Sequence, residues 1–140
     1  MKSVIVKDFM TRKVVSVSPD VEISAATECL INHDISGVPV LDSHGRLVGI
    51  LTERDCMKVA LHAGYHDVPY GLVKDYMSPD PESVTPEQSV LTIAEKFINN
   101  RFRRYPVLDN GRLVGVISRR DVLRALSKYH GMERLSRGTQ

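Results

Sequence analysis

Thr52 and Asp55, and again Ser118 and Asp121, set a hydroxyl three residues ahead of a carboxylate. Each pair closes a copy of one phrase, GRLVGILTERD from Gly45 to Asp55 and GRLVGVISRRD from Gly111 to Asp121. An apolar run that ends at a hydroxyl reads as a strand handing over to a helix. There the hydroxyl can cap the helix, and the free N–H groups of the first turn suit an anion such as phosphate. The carboxylate is an acceptor only, and can take hydrogen bonds from paired hydroxyls such as those of a ribose. A hydroxyl with an acid at the third following position is equally the pattern of a reciprocal helix cap. Spacing alone leaves both readings open, because duplication copies a cap as readily as a ligand site.

The phrase belongs to a longer repeat. VKDFM (Val6–Met10) recurs as VKDYM (Val73–Met77), SVSPD (Ser16–Asp20) as SVTPE (Ser83–Glu87), and PVLDSHGRLVG as PVLDNGRLVG, one residue shorter in the turn. The agreement is ordered and runs through the whole unit, so the chain is read as two copies of one structural element. In each copy, VVSVS or ESVTP is a short β-favouring segment ending at a proline that suits a helix start. Ile23, Ala26, Thr27, Leu30 and Ile31, or Val90, Ile93, Ala94, Phe97 and Ile98, follow at helix-face spacing. Asp20 and Glu87 put negative charge near the helix start. GVPVLD or YPVLD then leads into a turn at Gly45 or at Asn110-Gly111, a strong hairpin signal between two apolar runs. A second helix is expected from Asp55 or Asp121, with Met57, Ala60 and Leu61, or Leu123 and Leu126, facing inward.

The order per copy is β-α-β-β-α, and the expected fold is α/β with two pseudo-symmetric halves packed as one module. A sheet this small is marginal alone, whereas two copies can cover each other. The expected boundaries are 1–66 for the first motif, 67–130 for the second, and a flexible tail over 131–140, with Gly131 ending a helix. His62–Gly71, rich in Gly, Pro and polar residues, reads as the linker.

The bulk numbers exclude several classes. With 19 basic and 17 acidic residues among 140, the net charge of +2 is too balanced for bulk attraction to nucleic acid. No apolar run approaches the eighteen or so residues of a membrane span, and MKSVIVKDFM lacks an export pattern. Cys29 and Cys56 sit in apolar periodic segments and read as reduced, buried thiols of a cytoplasmic protein. His62 and His66 are spaced as zinc ligands on a helix, but Gly64 is expected to interrupt it and no third ligand is evident, so they read as surface histidines. No nucleophile with an adjacent base and no P-loop appears, so no enzymatic activity is expected.

The motifs VKDFM and VKDYM, GVPVLD and YPVLD, and the two copies of the closing phrase together resemble the cystathionine β-synthase (CBS) domain family. The specific likeness is to a stand-alone tandem CBS pair, or Bateman module, over about Val6 to Leu126. The resemblance implies two clefts that bind adenosine-containing ligands, with AMP, ADP or ATP first and NAD(H) or S-adenosylmethionine also known in the family. No other cofactor is implied. Carried over, one cleft uses Thr52, Asp55, Ser36, Gly37, Val38, Pro39 and Ile50, covered by Asp75, Ser78 and Glu82. The other uses Ser118, Asp121, Arg103, Arg104, Tyr105, Pro106 and Val116, covered by Asp8, Thr11, Val14 and Val15. The aspartate would hold the ribose and the hydroxyl would lie near the phosphate. The family also implies homodimers of CBS pairs, with Met57 and Leu123 as candidate contacts, and a regulated protein partner that the sequence does not name.

The two clefts differ in charge. RFRRY precedes Pro106 where DISGV precedes Pro39, and Arg103 and Arg104 can bond a phosphate where Ser36 and Gly37 cannot. The first cleft also has Asp80 and Glu82 nearby, which would repel one. The Asp121 cleft is therefore expected to be the tighter phosphate site. Two other readings remain: an interaction module that binds no nucleotide, and a nucleic-acid binder acting through Arg101, Arg103, Arg104, Arg119 and Arg120. Asp8 and Asp75 read as well as caps of short helical turns as ligand contacts, and Met10 and Met77 as core fillers.

Overall fold

The computed structural model describes residues 4–66 and 71–136. Its helices are α1 (Ile23–His33), α2 (Glu53–His66), α3 (Val73–Tyr76), α4 (Val90–Asn99) and α5 (Arg119–Ser136). Its strands are β1 (Gly37–Leu41), β2 (Leu47–Thr52), β3 (Ser78–Pro79), β4 (Arg104–Asp109) and β5 (Arg112–Ser118). A 3-10 turn spans Val6–Asp8. The elements form two compact units: unit 2 is Val15–Pro81, and unit 1 joins Met1–Val14 to Glu82–Gln140.

In unit 2, β1 and β2 form an antiparallel hairpin to which β3 adds a short third strand, with Ser78 opposite Ile50. The turn is held by the Asp42 carboxylate, whose Oδ1 accepts from the N–H groups of His44 and Arg46 at 2.9 Å each. Those two bonds hold the Asp42 carboxyl below the usual carboxylate range, the Arg46 bond contributing most. Gly45, at φ +79°, closes the three-residue loop in the left-handed region that glycine alone adopts without strain. The core combines Ile23, Ala26 and Leu30 of α1 with Val38, Val40 and Leu51 of the hairpin, and with Cys56, Val59 and Val73.

Unit 1 repeats the plan. β4 pairs with β5, and Asn110 and Gly111 both take positive φ in a two-residue turn between Asp109 and Arg112. In place of a third strand, Thr11 and Val116 exchange two backbone hydrogen bonds, at 2.8 and 2.9 Å. The core gathers Val90, Ile93 and Phe97 of α4, Tyr105, Val107 and Ile117 of the hairpin, and Val122 and Ala125 of α5. Val6 and Met10 of the N-terminal segment complete it.

The segments expected as the first strand of each copy make one parallel bridge apiece, Val17 with Val40 and Val84 with Val107. Val17 N–H donates to the Pro39 carbonyl and Leu41 N–H donates to that of Val17. The next rung would need a donor from Pro39, which has none, and Pro106 stops the equivalent ladder in the same way.

Other local expectations shift. Asp20 and Glu87 stand three residues ahead of their helices, which begin at Ile23 and Val90. Asp20 instead pairs at the surface with Lys74 at 3.3 Å, and Ser89 caps α4 through Leu91 N–H. Helix α2 runs through Gly64 to His66, and α5 through Gly131 to Ser136; one glycine costs a helix only about 1 kcal/mol. The first half of the expected linker, 62–66, is thus helix, and its residues 67–70 and the tail 137–140 lie outside the described residues. The inward face of the second helix is Cys56 and Val59, or Val122 and Ala125. Met57, Leu61 and Leu123 are exposed, as are Ile31 and Ile98, Ala60 is exposed and Leu126 half-buried. Two adjacent apolar stripes run along these helices, and the handover from the strand selects between them. Cys56 is buried, whereas Cys29 is half-buried.

Candidate functional site

The strand-to-helix handover repeats nearly atom for atom. In unit 2, Asp55 Oδ2 accepts from Thr52 N–H and from the Thr52 hydroxyl, both at 2.9 Å, while Asp55 N–H donates to Thr52 Oγ1 at 3.3 Å. In unit 1, Asp121 Oδ2 accepts from Ser118 N–H at 2.9 Å and Asp121 N–H donates to Ser118 Oγ at 3.1 Å. These are reciprocal caps, so the capping reading of the spacing is realised. Each cap engages one carboxylate oxygen and leaves the other over.

That second oxygen separates the two units. Arg124 places its guanidinium on Asp121 Oδ1, and Asp121 is 6% exposed. Asp55 is half-buried, and among the described residues nothing bonds its Oδ1. Lys58, the counterpart of Arg124, is exposed. The sequence reading missed Arg124, although its i,i+3 spacing from Asp121 is a signal for such a pair.

The helix start is also tied to the segment ahead of the hairpin. Glu53 N–H donates to the Ser36 carbonyl at 2.9 Å, and Arg119 N–H to that of Arg103 at 3.0 Å. Antiparallel register then sets Gly37 opposite Thr52 and Pro39 opposite Ile50, and in unit 1 Arg104 opposite Ser118 and Pro106 opposite Val116. Partners in such a ladder point to the same side, and alternate residues to opposite sides. Since Val38, Val40 and Leu51 enter the unit 2 core, Gly37, Pro39, Ile50 and Thr52 share the other face. In unit 1, Arg104, Pro106, Val116 and Ser118 do the same.

The opening segment of the other repeat borders that face. Ser78 lies beside Ile50 in unit 2, and Thr11 beside Val116 in unit 1. The close approach requires glycine. A Cβ on Gly115 would meet Met10 Sδ at 2.7 Å and the Thr11 carbonyl at 2.9 Å, and one on Gly49 would meet the Met77 sulfur. Met10 is buried and Met77 packs against the unit 2 core, so both act as fillers.

Two expected residues turn into the cores instead. Val38 and Tyr105 are core side chains, 0% and 1% exposed, because they alternate with the residues of the hairpin face that points away from the core. The Tyr105 ring stacks 4.8 Å from Phe97, and its hydroxyl accepts from Asn100 Nδ2 at 3.2 Å. Glu82 belongs to unit 1, where it pairs with Lys96 and raises that ammonium's pKa; Val15 belongs to unit 2 and packs on its core. Asp75 Oδ2 accepts from Leu72 N–H at 2.9 Å and so caps α3. Asp8 is exposed on the 3-10 turn and Val14 is half-buried. Ser36 is half-buried, Arg103 exposed, and Asp80 exposed at a positive φ.

Charge is distributed unequally around these handovers. Unit 1 carries Arg103, Arg104, Arg119, Arg120 and Arg124 where unit 2 carries Ser36, Gly37, Glu53, Arg54 and Lys58. The unit 1 handover therefore carries more positive charge than its unit 2 counterpart. Among the described residues there is no group of three or more potential metal ligands, and no helix is long and apolar enough to cross a membrane.

A family model described as the CBS domain matches residues 6–62 and 73–128. An uncharacterised 17.7 kDa protein of Acidianus ambivalens is 38% identical over 91% of this chain and 76% of its own length. Other curated relatives are longer, the chain spanning 46% of one and 22% of another. A crystal structure of CBSX2 of Arabidopsis thaliana in complex with AMP superposes with a TM-score of 0.81 at 29% identity, covering 91% of this chain and 98% of that one. The CBS domain pair of protein MJ0100, in complex with 5-methylthioadenosine and S-adenosyl-L-methionine, gives 0.77 at 26% identity over 91% and 99% of the two chains.

Proposed function

Because the chain belongs to the CBS domain family, we propose that it is a regulatory module that binds an adenosine-containing ligand at the cleft faces of its two units. One observation carries this reading. The same strand-to-helix handover occurs twice, each with an aspartate whose second oxygen is not consumed by the helix cap. That oxygen can accept from a ribose hydroxyl, with the phosphate near the Thr52 or Ser118 side chain. Relatives of known structure carry AMP, S-adenosylmethionine and methylthioadenosine, ligands that share adenosine and differ in charge.

The Asp121 face, ringed by arginines, is the phosphate-bearing site and takes AMP or a more highly charged nucleotide. The Asp55 face takes a ligand with less negative charge. Ligand binding regulates only if it favours one arrangement of the protein over another, so a protein partner reads the occupied state. The chain associates with a second copy of itself. No catalytic step is assigned to it.

Isothermal titration with AMP, ATP and S-adenosylmethionine tests this on the wild type and on Asp55→Ala and Asp121→Ala. Losing a charged hydrogen bond is expected to weaken the affected ligand at least tenfold. Circular dichroism checks that each variant keeps its helices without the cap. Binding unaffected by either substitution, or no binding of any of the three, would leave the repeated phrase as a helix cap in an interaction module.

A further inference from the structure

The link from the first helix to the hairpin is built differently in the two units. In unit 2, Asp34 ends α1 in the left-handed region at φ 52°, and Ile35 N–H donates to the Leu30 carbonyl, so that Ile35 folds back onto the core. In unit 1, Asn100 leaves α4 with extended backbone, at φ −131° and ψ 164°. Its side chain closes the helix instead, Nδ2 donating to the Lys96 carbonyl at 2.8 Å and to the Tyr105 hydroxyl at 3.2 Å. Tyr105 stands where unit 2 has Val38, and its larger ring takes up the interior. Phe102, the counterpart of Ile35, stays 51% exposed and meets the Tyr105 ring edge-on, with centroids 5.7 Å apart and planes at 66°.

A phenyl left in water forgoes the energy of burial, yet its backbone is held firmly. Arg119 Nε donates to the Phe102 carbonyl at 2.9 Å and Nη2 to the Asn100 carbonyl at 3.5 Å, while Arg119 N–H donates to the Arg103 carbonyl at 3.0 Å. Arg101 and Arg103 flank the ring, both exposed, and no acidic residue occurs between Glu95 and Asp109. Arg104 joins the outward hairpin face with Ser118, and Arg101 and Phe102 lie ahead of it. A flat ring fixed at the surface between two cations suits a strand of unpaired bases, which stack on the ring while their phosphates meet the charges. A duplex hides its base faces, and an acidic peptide would leave the ring without a role. One ring is too little apolar surface to hold the chain on a bilayer.

We propose that loop 100–103 of unit 1 binds single-stranded nucleic acid, a base stacking on Phe102 and phosphates engaging Arg101 and Arg103. This surface is distinct from the adenosine face proposed above. With a net charge of only +2 on the whole chain, the attraction comes from the loop itself and falls steeply with salt.

Fluorescence anisotropy of the full chain with labelled oligothymidylate tests it. That strand has neither adenine nor a ribose diol, so the adenosine reading and this one fail separately. The wild type binds at low salt. Phe102→Ala weakens binding about fivefold or more, and so does Phe102→Leu, which keeps an apolar group against Tyr105 but removes the flat ring. Arg101→Gln lowers the slope of log affinity against log salt by about 0.7. AMP titrates Phe102→Ala as it does the wild type, and thermal melts establish that each variant is folded. Absence of binding at low salt, binding that both Phe102 variants leave intact, or displacement by saturating adenosine overturns the proposal. So does attachment to anionic lipid vesicles that depends on Phe102, with none to oligothymidylate.

Discussion

The guanidinium of Arg124 rests on Oδ1 of Asp121, the one oxygen that the helix cap leaves over. In the proposed binding mode a ribose at the unit 1 face therefore displaces an arginine, whereas at Asp55 it meets an oxygen that nothing among the described residues bonds. Arg124 is 64% exposed, and a pair this open to solvent contributes about 0.5–1 kcal/mol. Arg124→Ala is expected to bind adenosine, which carries no phosphate, about three- to fivefold more tightly at this site. Titration calorimetry with adenosine and AMP checks it, and the gain should shrink for AMP, whose phosphate loses a cation.

Gly115→Ala places a methyl group against the Thr11 carbonyl, which is backbone and cannot rotate away. The opening segment must shift, at a cost of about 1–3 kcal/mol. Thermal or urea unfolding should show the loss, and Met10→Ala in the same chain should recover only part of it. Full recovery would mean that the methionine alone sets the limit.

Burial pushes the Tyr105 phenol above its ordinary value of 10.0, and the nearby Glu82 carboxylate adds to the shift. A raised folded-state pKa means that the unfolded chain ionises first. The stabilising contribution is present below pH 10 and disappears as pH rises through the folded value. Melting temperature should fall on the alkaline side of pH 10, and Tyr105→Phe should flatten that fall even if it lowers the neutral value. An unchanged slope would assign the alkaline loss to other groups.

Cys56 is 8% exposed, and desolvation pushes its thiol pKa up, so it remains a protonated thiol well above neutral pH. Cys29 is half-buried, with its sulfur 3.8 Å from His33 Nδ1. Timed alkylation followed by peptide mass spectrometry should label Cys29 first and Cys56 only as the protein opens. Equal rates would mean that unit 2 opens far more readily than its core suggests.

Much of the fold was legible because duplication marks it twice. The hairpins were set by Asn110-Gly111 and by Gly45, and the first helix of each copy by its apolar period. The handover residues were found together with their capping geometry. Phase was lost where two stripes compete, as in CMKVAL, because periodicity cannot tell which stripe a preceding strand will turn inward. Tyr105 and Val38 were misassigned to the cleft face for a related reason, since a one-residue step along a strand changes faces. Arg124 escaped because a surface arginine looks the same in sequence whether it points to solvent or back over its own helix.

The two units are built differently along the chain. Unit 2 closes from one uninterrupted stretch, Val15–Pro81, while unit 1 needs Val6 and Met10 to meet a hairpin more than ninety residues downstream. On a ribosome, unit 2 can complete its core while unit 1 still lacks its sheet. Through that interval the N-terminal segment is an apolar edge without its hairpin. Any unit 1 hairpin that arrives first can accept it, whether from the same chain or from a neighbour on the same message. Crowded synthesis therefore favours exchange of that arm between chains, and slow, dilute refolding favours closure of unit 1 within one chain.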